Sequence, residues 1–235
     1  MKELTTEDIR NEFIRKYTNN EFRTINNNVQ EDSTIEIQNA HFIVDKPWII
    51  RKPNYDYFKR ELEWYDSQSL NVNDIPDGAP SMWKKCATPL GYINSNYGWC
   101  IYSEENHEQF VNCINHLCED PHTREACMIY TRPSIQNEYN KNGMHDFICT
   151  YSTQCFLNEV DNADNEYNLD YIVYMRSNDA VFGFCNDSLW HMTVMERMAN
   201  ILQNEMNVKI NIGKLYWNAG SLHVYKKHYK YLLNN

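Results

Sequence analysis

No stretch of this sequence approaches the roughly 20 consecutive apolar residues that a membrane-spanning helix needs. Positive charge is also scarce, because 22 Lys and Arg stand against 32 Asp and Glu and give a formal net charge of -10 at pH 7. An acidic protein has no general attraction for duplex nucleic acid or for anionic membranes. We therefore expect no membrane segment and no stable nucleic-acid binding, although a few arginines could still bind a single phosphate.

From its sequence pattern we expect neither a secretion signal nor a second domain in this chain. Its first residues, MKELTTEDIRNEF, are charged and contain no apolar core of the kind that a signal peptide has. Without that signal, the eight cysteines are expected to be reduced thiols in the cytoplasm and not a disulfide framework. No internal repeat, long linker or low-complexity tail is present, so we expect one domain over residues 1–235.

A recognisable metal-ligand spacing is missing as well. Cys113, His116 and Cys118 lie close together, but their spacing matches no common zinc signature. They also lie on an apolar helical segment, where small thiols usually pack into the core. We expect no metal site.

Hydrophobic periodicity predicts the order of helices and strands. Helical spacing is found in 5–18, 55–65, 103–118 and 188–205. Alternation predicts strands at 34–45, 126–131, 146–157, 170–176 and 221–226. Because helices and strands are mixed without regular βαβ alternation, the pattern favours an α+β fold over a doubly wound sheet.

Several polar residues stand out within the predicted strands. Cys149 lies in the alternating stretch HDFICTYSTQCFL, where a cysteine is usually buried and inert, but Gln154 and Arg176 would both need polar partners there. An arginine near the thiol would lower its pKa and favour the reactive thiolate. His223 and Tyr225 are two apart on a strand, so they point to one face and can together bind one hydroxyl group.

Taken in order, these residues resemble the motifs of the thymidylate synthase superfamily. That family has an early phosphate-binding arginine, a Glu-x-x-Trp element and a Tyr-Gly turn. A catalytic cysteine with a glutamine five residues later, an Arg-Ser-x-Asp segment and a His-x-Tyr strand follow. The matching residues run from about residue 20 to 228: Arg23-Thr24, Glu61 to Trp64, Tyr97-Gly98, Cys149 with Gln154, Arg176 to Asp179, and His223 to Tyr225.

The departures from the family pattern are equally specific. Thr150 follows the cysteine where the synthases have histidine, and Arg124-Glu125 replaces a pair of arginines. Asp187 stands where the synthases have the asparagine that reads the pyrimidine edge. Only ten residues follow Tyr225, so the long C-terminal extension of the synthases is expected to be missing. Together with INSNYG, GMHDFICT and MRSNDAVFGF, these departures resemble the phage deoxycytidylate hydroxymethylase branch, whose members carry aspartate at that position.

The resemblance implies a thymidylate synthase-like fold, in which a mixed β-sheet packs with helices and one sheet face forms a homodimer interface. It implies conversion of dCMP, 5,10-methylenetetrahydrofolate and water to 5-hydroxymethyl-dCMP and tetrahydrofolate, without a metal. The product would enter modified phage DNA that resists host restriction. A short C-terminal tail agrees with water, and not hydride, completing the reaction.

The resemblance also implies residue roles. The catalytic residues are the nucleophile Cys149, Glu61, which organises water and proton transfers, and Asp187, which reads the cytosine edge. Nucleotide binding is implied for Arg23, Gln154, Arg176, Ser177, His223 and Tyr225, and for Arg124 in the phosphate site of the partner subunit. Asp179 and Trp83 are the expected folate-binding residues.

Other interpretations stay open at this stage. The chain could hydroxymethylate dUMP or be an unusual thymidylate synthase, with Asp187 tolerated for another reason. It could also be a non-catalytic relative that binds a nucleotide or RNA, which the net charge and the retained Cys149 disfavour. The remaining alternative is an unspecialised α+β domain with buried cysteines.

Overall fold

The structure is a computed structural model that describes residues 3–27, 30–163 and 165–233. In these ranges one six-stranded mixed sheet has the order β1-β2-β6-β5-β4-β3, and only β5 and β6 run parallel. The strands are β1 Arg23–Asn27, β2 Gln30–Ile43, β3 Cys127–Ile129, β4 Thr150–Glu159, β5 Glu166–Asp179 and β6 Lys209–Tyr225.

The helices of the described residues precede the sheet, connect its strands and end the chain. They are α1 Thr6–Thr18, α2 Tyr55–Asp66, α3 Ser81–Cys86, α4 Tyr97–Tyr102, α5 Gln109–Glu119, α6 Ile135–Glu138, α7 Gly183–Met206 and α8 Lys230–Leu233. Short 3-10 turns lie at Val72–Asp74, Glu104–Asn106, Lys141–Gly143 and Lys226–His228. None of the helices described is both long and apolar enough to cross a membrane.

The two faces of the sheet differ sharply in burial. One register row across five strands is buried at every position: Met128, Thr153, Val173, Trp217 and Phe42. The long helix α7 packs on β5 and β6 and contributes Trp190, Val194 and Met198 to this core. The α+β prediction is therefore confirmed, with α7 as the parallel crossover between β5 and β6.

The next register row is exposed or half-buried throughout. It consists of Ile129, Ser152, Tyr174, Asn218 and His41. Large apolar side chains on this face stay accessible, since Ile129 is 58% and Tyr174 is 38% exposed. We call this surface the open sheet face.

The helix expected over 103–118 begins later than the sequence pattern indicated. Ser103 caps the short turn Glu104–Asn106, but the chain does not continue helically from there. His107 and Glu108 have positive φ angles of 63° and 46°, and α5 starts only at Gln109. Two left-handed residues in succession break the backbone hydrogen-bond pattern of a helix, and no periodicity in side chains reveals them.

Strand boundaries also differ from the predictions. β6 begins at Lys209, whereas alternation indicated only 221–226, and β1 was not predicted. Gly213 and Gly220 interrupt the alternation in β6 for a packing reason, because a Cβ there would lie 2.7 Å from the Leu169 carbonyl oxygen or 3.0 Å from that of Arg176. β4 begins at Thr150, so Cys149 directly precedes the strand.

Candidate active site

Cys149 and Arg176 lie side by side where β4 begins and β5 nears its end. The Arg176 backbone N–H donates to the Cys149 carbonyl oxygen over 2.9 Å, which joins the two segments. The guanidinium Nη2 lies 3.5 Å from Cys149 Sγ, and Nε donates to the carbonyl oxygen of Ile148 over 3.1 Å. The Arg176 guanidinium also lies over the Phe147 ring, 4.8 Å from its centre. Arg176 therefore meets the expectation that it needs polar partners, and its position beside the thiol is held from several directions.

The effect of Arg176 on the thiol differs from the expectation. Burial raises the pKa of Cys149 to about 12, and the positive charge of Arg176 opposes this without overcoming it. Asp187 and Asp146 raise the pKa further in their ionised forms. Arg176 does act to lower the pKa of Cys149, as expected. The expected net lowering of that pKa is wrong, because desolvation of the thiolate is the larger effect. The resting thiol is protonated.

Glu61 lies at the centre of a buried cluster on α2 and α3. Its side chain is 2% exposed, and Oε1 accepts hydrogen bonds from Tyr57 OH at 2.5 Å and from Trp83 Nε1 at 2.8 Å. Trp83 also packs edge-on against Trp64, with ring centres 5.3 Å apart. Trp83 therefore contributes a hydrogen bond to Glu61 in addition to its apolar ring.

The second carboxylate oxygen of Glu61 is available. Oε2 is buried and has no hydrogen-bond partner among the described residues. Burial raises the pKa of Glu61, although Tyr57 and Trp83 act in the opposite direction. A buried oxygen with unused acceptor capacity, on a carboxyl group that gains a proton easily, is suited to bind a water molecule and pass protons.

Asp187 lies in the first turns of α7 and is half-buried. Asn178 Nδ2, at the end of β5, donates to Asp187 Oδ2 over 2.6 Å. Burial raises the pKa of Asp187 to about 8; the charge of Glu61 adds to this, while the Asn178 hydrogen bond opposes it. At neutral pH the side chain is therefore mainly a neutral acid, which can donate one hydrogen bond and accept another.

His223 and Tyr225 lie together at the end of β6, as their spacing predicted. Their ring centres are 4.8 Å apart, and His223 is buried. Burial lowers the pKa of His223, so the ring is neutral at physiological pH. The Ser221 hydroxyl lies 3.4 Å from His223 Nδ1 and 2.5 Å from Glu36 Oε1.

Arg23 joins the same group of residues from the sheet edge. It forms an ion pair with Glu36, the residue that faces His223 in the β2–β6 ladder. Ser221 and Arg23 lower the pKa of Glu36 against the opposing effect of burial, so Glu36 is ionised. The pair was not expected from the sequence, because nothing in the order of residues connects Glu36 with Arg23 or Ser221.

Ser177 and Asp179 continue β5 beyond Arg176 and face β6. Their register partners in the parallel ladder are Ser221 and His223. Asp179 Oδ1 accepts a hydrogen bond from the Val181 backbone N–H over 3.0 Å, and Oδ2 lies 3.9 Å from Nδ1 of His228. Burial raises the pKa of Asp179 to about 6. The carboxyl group retains acceptor capacity for the N–H donors of a pterin ring, so the residue type fits a folate here.

Arg124 and Gln154 lie apart from this group. Gln154 is half-buried on the open sheet face, and its Nε2 donates to the Arg124 carbonyl oxygen over 2.9 Å. Arg124 is exposed, and none of the contacts among the described residues joins its side chain to Cys149 or Arg176. Within one chain, the structure brings the other sequence-predicted site residues together, apart from Glu61 and Trp83. Those two form a separate cluster, in which the charge of Glu61 raises the pKa of Asp187.

Metal-binding groups and disulfides are not found in the described part of the chain. No group of three or more His, Cys, Asp or Glu side chains there is arranged to hold a metal ion. All eight cysteines are free. Cys113, from the candidate cluster on α5, is fully buried in the core.

The sequence profile described as thymidylate synthase matches residues 14–235 of this chain. The deoxycytidylate 5-hydroxymethyltransferases of Enterobacteria phages T4 and T2 are each 44% identical over 203 residues, which is 86% of this chain and 79% of each relative. A thymidylate synthase of Francisella philomiragia is 23% identical over 178 residues, covering 72% of this chain and 60% of that protein.

The fold also has a counterpart among solved structures. Thermostable thymidylate synthase A from Bacillus subtilis superposes with a TM-score of 0.66 at 20% sequence identity. The match covers 97% of this chain and 84% of that chain. It shows the shared architecture of a mixed sheet packed with helices.

Proposed function

This chain belongs to the thymidylate synthase family, and we propose that within it the protein transfers a hydroxymethyl group to carbon 5 of dCMP, using 5,10-methylenetetrahydrofolate and water. The observation that carries the proposal is Asp187, a neutral acid at the position that the resemblance assigns to base reading. The phage relatives named for this activity support the same conclusion. In a phage-infected cell the product would be made in the cytoplasm as a precursor of modified DNA.

The choice of pyrimidine follows from hydrogen-bond complementarity. The cytosine edge offers an amino donor and a bare ring nitrogen, so its partner must accept one hydrogen bond and donate another. Asp187 does both when it is protonated, and its pKa of about 8 keeps the proton on it at neutral pH. The uracil edge presents a carbonyl acceptor and an N–H donor, which reverses the order. A mispaired polar edge in a buried site discriminates strongly between substrates.

The same acid assists the covalent step. Carbon 5 of cytosine is a weak nucleophile until Cys149 sulfur forms a bond to carbon 6, which moves electron density towards the ring nitrogen and carbon 5. Proton donation from Asp187 to the ring nitrogen neutralises the charge that develops there. With a pKa of about 12, the Cys149 thiol loses its proton only as the sulfur–carbon bond forms, and this proton replaces the one that Asp187 gives to the ring nitrogen. Recognition of the cytosine base and activation of its carbon 5 thus both depend on Asp187.

The phosphate and sugar of the nucleotide are bound by residues around the ends of β5 and β6. Arg176 and Arg23 supply guanidinium groups for the phosphate, and Ser177 lies beside Arg176 to donate from its hydroxyl. His223 and Tyr225 bind the 3′-hydroxyl of the deoxyribose. Because Arg23 forms an ion pair with Glu36, it must either contact the phosphate and Glu36 together or leave Glu36 to bind the phosphate.

The folate is bound on the other side of the base. Asp179 accepts the N–H groups of the pterin, and Trp83 lies against the ring. When bound, methylenetetrahydrofolate supplies the one-carbon group. Glu61 uses its unpartnered Oε2 to orient the water that completes the hydroxymethyl group and to take up its proton. Trp83 donates to Glu61 and thereby connects folate binding to the position of that oxygen.

The active assembly is a homodimer built on the open sheet face. Gln154 lies on this face and holds the backbone of Arg124. Arg124 is exposed in the single chain and has the reach of a long side chain, so it can enter the phosphate site of a second copy. Burial of Ile129 and Tyr174 against the equivalent face would remove apolar surface from water.

Product analysis tests the proposal directly. The protein is incubated with methylenetetrahydrofolate and either dCMP or dUMP, and the nucleotide products are identified by mass spectrometry. We expect 5-hydroxymethyl-dCMP and tetrahydrofolate, with little conversion of dUMP. Preferential hydroxymethylation of dUMP would refute the substrate assignment, formation of thymidylate would indicate a synthase, and no turnover of either nucleotide would favour a binding protein.

A further inference from the structure

Asn178 is the one member of the Arg176 to Asp179 segment to which the resemblance assigns no role. It is the second-last residue of β5, and its side chain is 3% exposed. Its Nδ2 donates to Asp187 Oδ2 over 2.6 Å, a short distance for an amide and a carboxyl oxygen. The contact joins the end of a strand to the first turns of α7.

Gly183 at the start of α7 leaves room for this contact. A Cβ at that position would lie 3.4 Å from Asn178 Nδ2 and 3.6 Å from Asp187 Oδ2. Any larger side chain would extend further into the same space. The pair is therefore closely surrounded, and its geometry has little freedom.

Stability does not explain an asparagine at this position. Its Oδ1 is buried and has no hydrogen-bond partner among the described residues. A buried carbonyl oxygen without a donor is destabilising, and an apolar side chain of similar shape would avoid that cost. What the amide provides, and an apolar side chain cannot, is the N–H donor directed at Asp187.

We propose that Asn178 is a positioning residue that fixes the order of donor and acceptor on Asp187 and thereby favours cytosine over uracil. This inference rests on the proposed function. Because the amide N–H occupies Oδ2 as a donor, Oδ2 remains the carbonyl-type acceptor and the acid proton belongs on Oδ1. The pair then presents one donor and one acceptor in a set order. Uracil requires the opposite order, which would place a proton on the oxygen that already accepts from Asn178.

Several charged and titratable groups surround the pair formed by Asn178 and Asp187. Those that interact electrostatically with Asp187 are Glu61, Tyr65, Tyr97, Cys149, Asp179 and Cys185. They change how readily Asp187 ionises. Tyr97 also hydrogen-bonds the Asp187 side chain. The contact from Asn178 is the one directed at a defined oxygen, Oδ2.

The test compares kcat/KM for dCMP and dUMP in Asn178→Leu, which keeps the side-chain size and removes the donor. We expect the preference for dCMP to fall by at least about tenfold. Since the hydrogen bond lowers the pKa of Asp187, its loss should also move the alkaline limb of the dCMP profile to higher pH. Asn168→Leu, a half-buried asparagine earlier on β5, is the matched control and should leave both readouts unchanged.

A double-mutant cycle separates positioning from a structural role. In the Asp187→Asn background, Asn178→Leu should change the dCMP-to-dUMP ratio by less than about twofold, because the acid whose proton it places is absent. An equal loss for both nucleotides with an unchanged pH profile would refute the proposal, as would the same change in ratio in both backgrounds. If Asn178→Leu does not fold, Asn178→Ser removes the same contact with a shorter polar side chain and is judged by the same ratio.

The substrate preference of the wild-type protein distinguishes failure of the proposed function from failure of the role of Asn178. A wild type that prefers dUMP would overturn the proposed function and this inference with it. A wild type that prefers dCMP, together with an Asn178→Leu variant of unchanged preference, would overturn only the role of Asn178.

Discussion

Replacement of Asp187 by asparagine should make the protein more stable at neutral pH while it loses its preferred substrate. The carboxyl has an ordinary pKa of 3.8 and a pKa of about 8 in the fold. The folded state therefore keeps a proton that the unfolded chain releases between these values. Stability falls as pH rises through this window, by about 1.4 kcal/mol for each pH unit. At pH 7 the carboxyl opposes folding by about 4 kcal/mol, an upper limit because Asp187 is only half-buried.

Asparagine has the same shape and does not titrate, so Asp187→Asn removes this unfavourable contribution to the folding free energy. Urea unfolding of variant and wild type at several pH values from 5 to 8 measures the difference in their free energies of unfolding. The variant should gain stability relative to the wild type as pH rises, with a slope of up to about 1.4 kcal/mol per pH unit. Glu61 is electrostatically coupled to Asp187, so the slope belongs to the pair. Asp161→Asn, at an exposed acid away from the site, is the matched control.

A stability difference between variant and wild type that stays constant with pH would refute the assignment of Asp187 as a neutral acid. A variant that loses stability relative to the wild type as pH rises would refute it more strongly, because it would mean that the folded state prefers the ionised carboxylate. The same variant should shift its preference from dCMP towards dUMP, since an amide can match the uracil edge. An unchanged preference would contradict the role of Asp187 in base reading.

The remaining predictions concern the nucleophile, the carboxylate that organises water, and the dimer. Burial raises the pKa of Cys149 to about 12. The alkylation rate of this residue in the free enzyme, measured by peptide mass spectrometry, should therefore be low at pH 7.5 and rise roughly tenfold per pH unit. Rapid alkylation of Cys149 at neutral pH would contradict this. Cys149→Ser should abolish turnover and leave nucleotide binding measurable by calorimetry, whereas retained turnover would exclude Cys149 as nucleophile. Glu61→Gln should lower kcat by at least about a hundredfold with little change in the dissociation constant of dCMP; a loss confined to binding would place Glu61 outside proton transfer. A mixture of refolded Arg124→Ala and Cys149→Ser subunits should recover about a quarter of wild-type activity through heterodimers with one complete site, and no recovery would show that Arg124 does not act across the interface.

The sequence was sufficient to identify the family and to indicate which residues are proposed to carry the chemistry. The order from Arg23 to Tyr225 indicated the family, and one acidic residue in place of an amide indicated the branch. Local patterns also located α1, α2 and most of α7 within a few residues of their observed ends. These features depend on residue identity and short-range spacing, both of which a sequence displays directly.

The sequence failed where backbone geometry or distant residues decide the outcome. The start of α5 depends on two left-handed residues, and the length of β6 depends on glycines that face the carbonyl oxygens of β5. The partners of Arg23 and Asp187 come from other elements, Glu36 on β2 and Asn178 on β5. Periodicity cannot report such contacts, because it describes which face a side chain is on and not what lies opposite.

The sequence by itself therefore determined the family, and it indicated Cys149 and Asp187 as the residues proposed for the nucleophile and for base reading. Only the tertiary structure decided in which protonation states these groups rest: Cys149 as a thiol and Asp187 as a neutral acid. The physical reason is that a pKa is set by burial and by neighbouring charges, which exist only after segments far apart in the chain have packed together. The same packing placed the Asn178 donor on one oxygen of Asp187, and on this contact rests our proposal that the pair distinguishes cytosine from uracil.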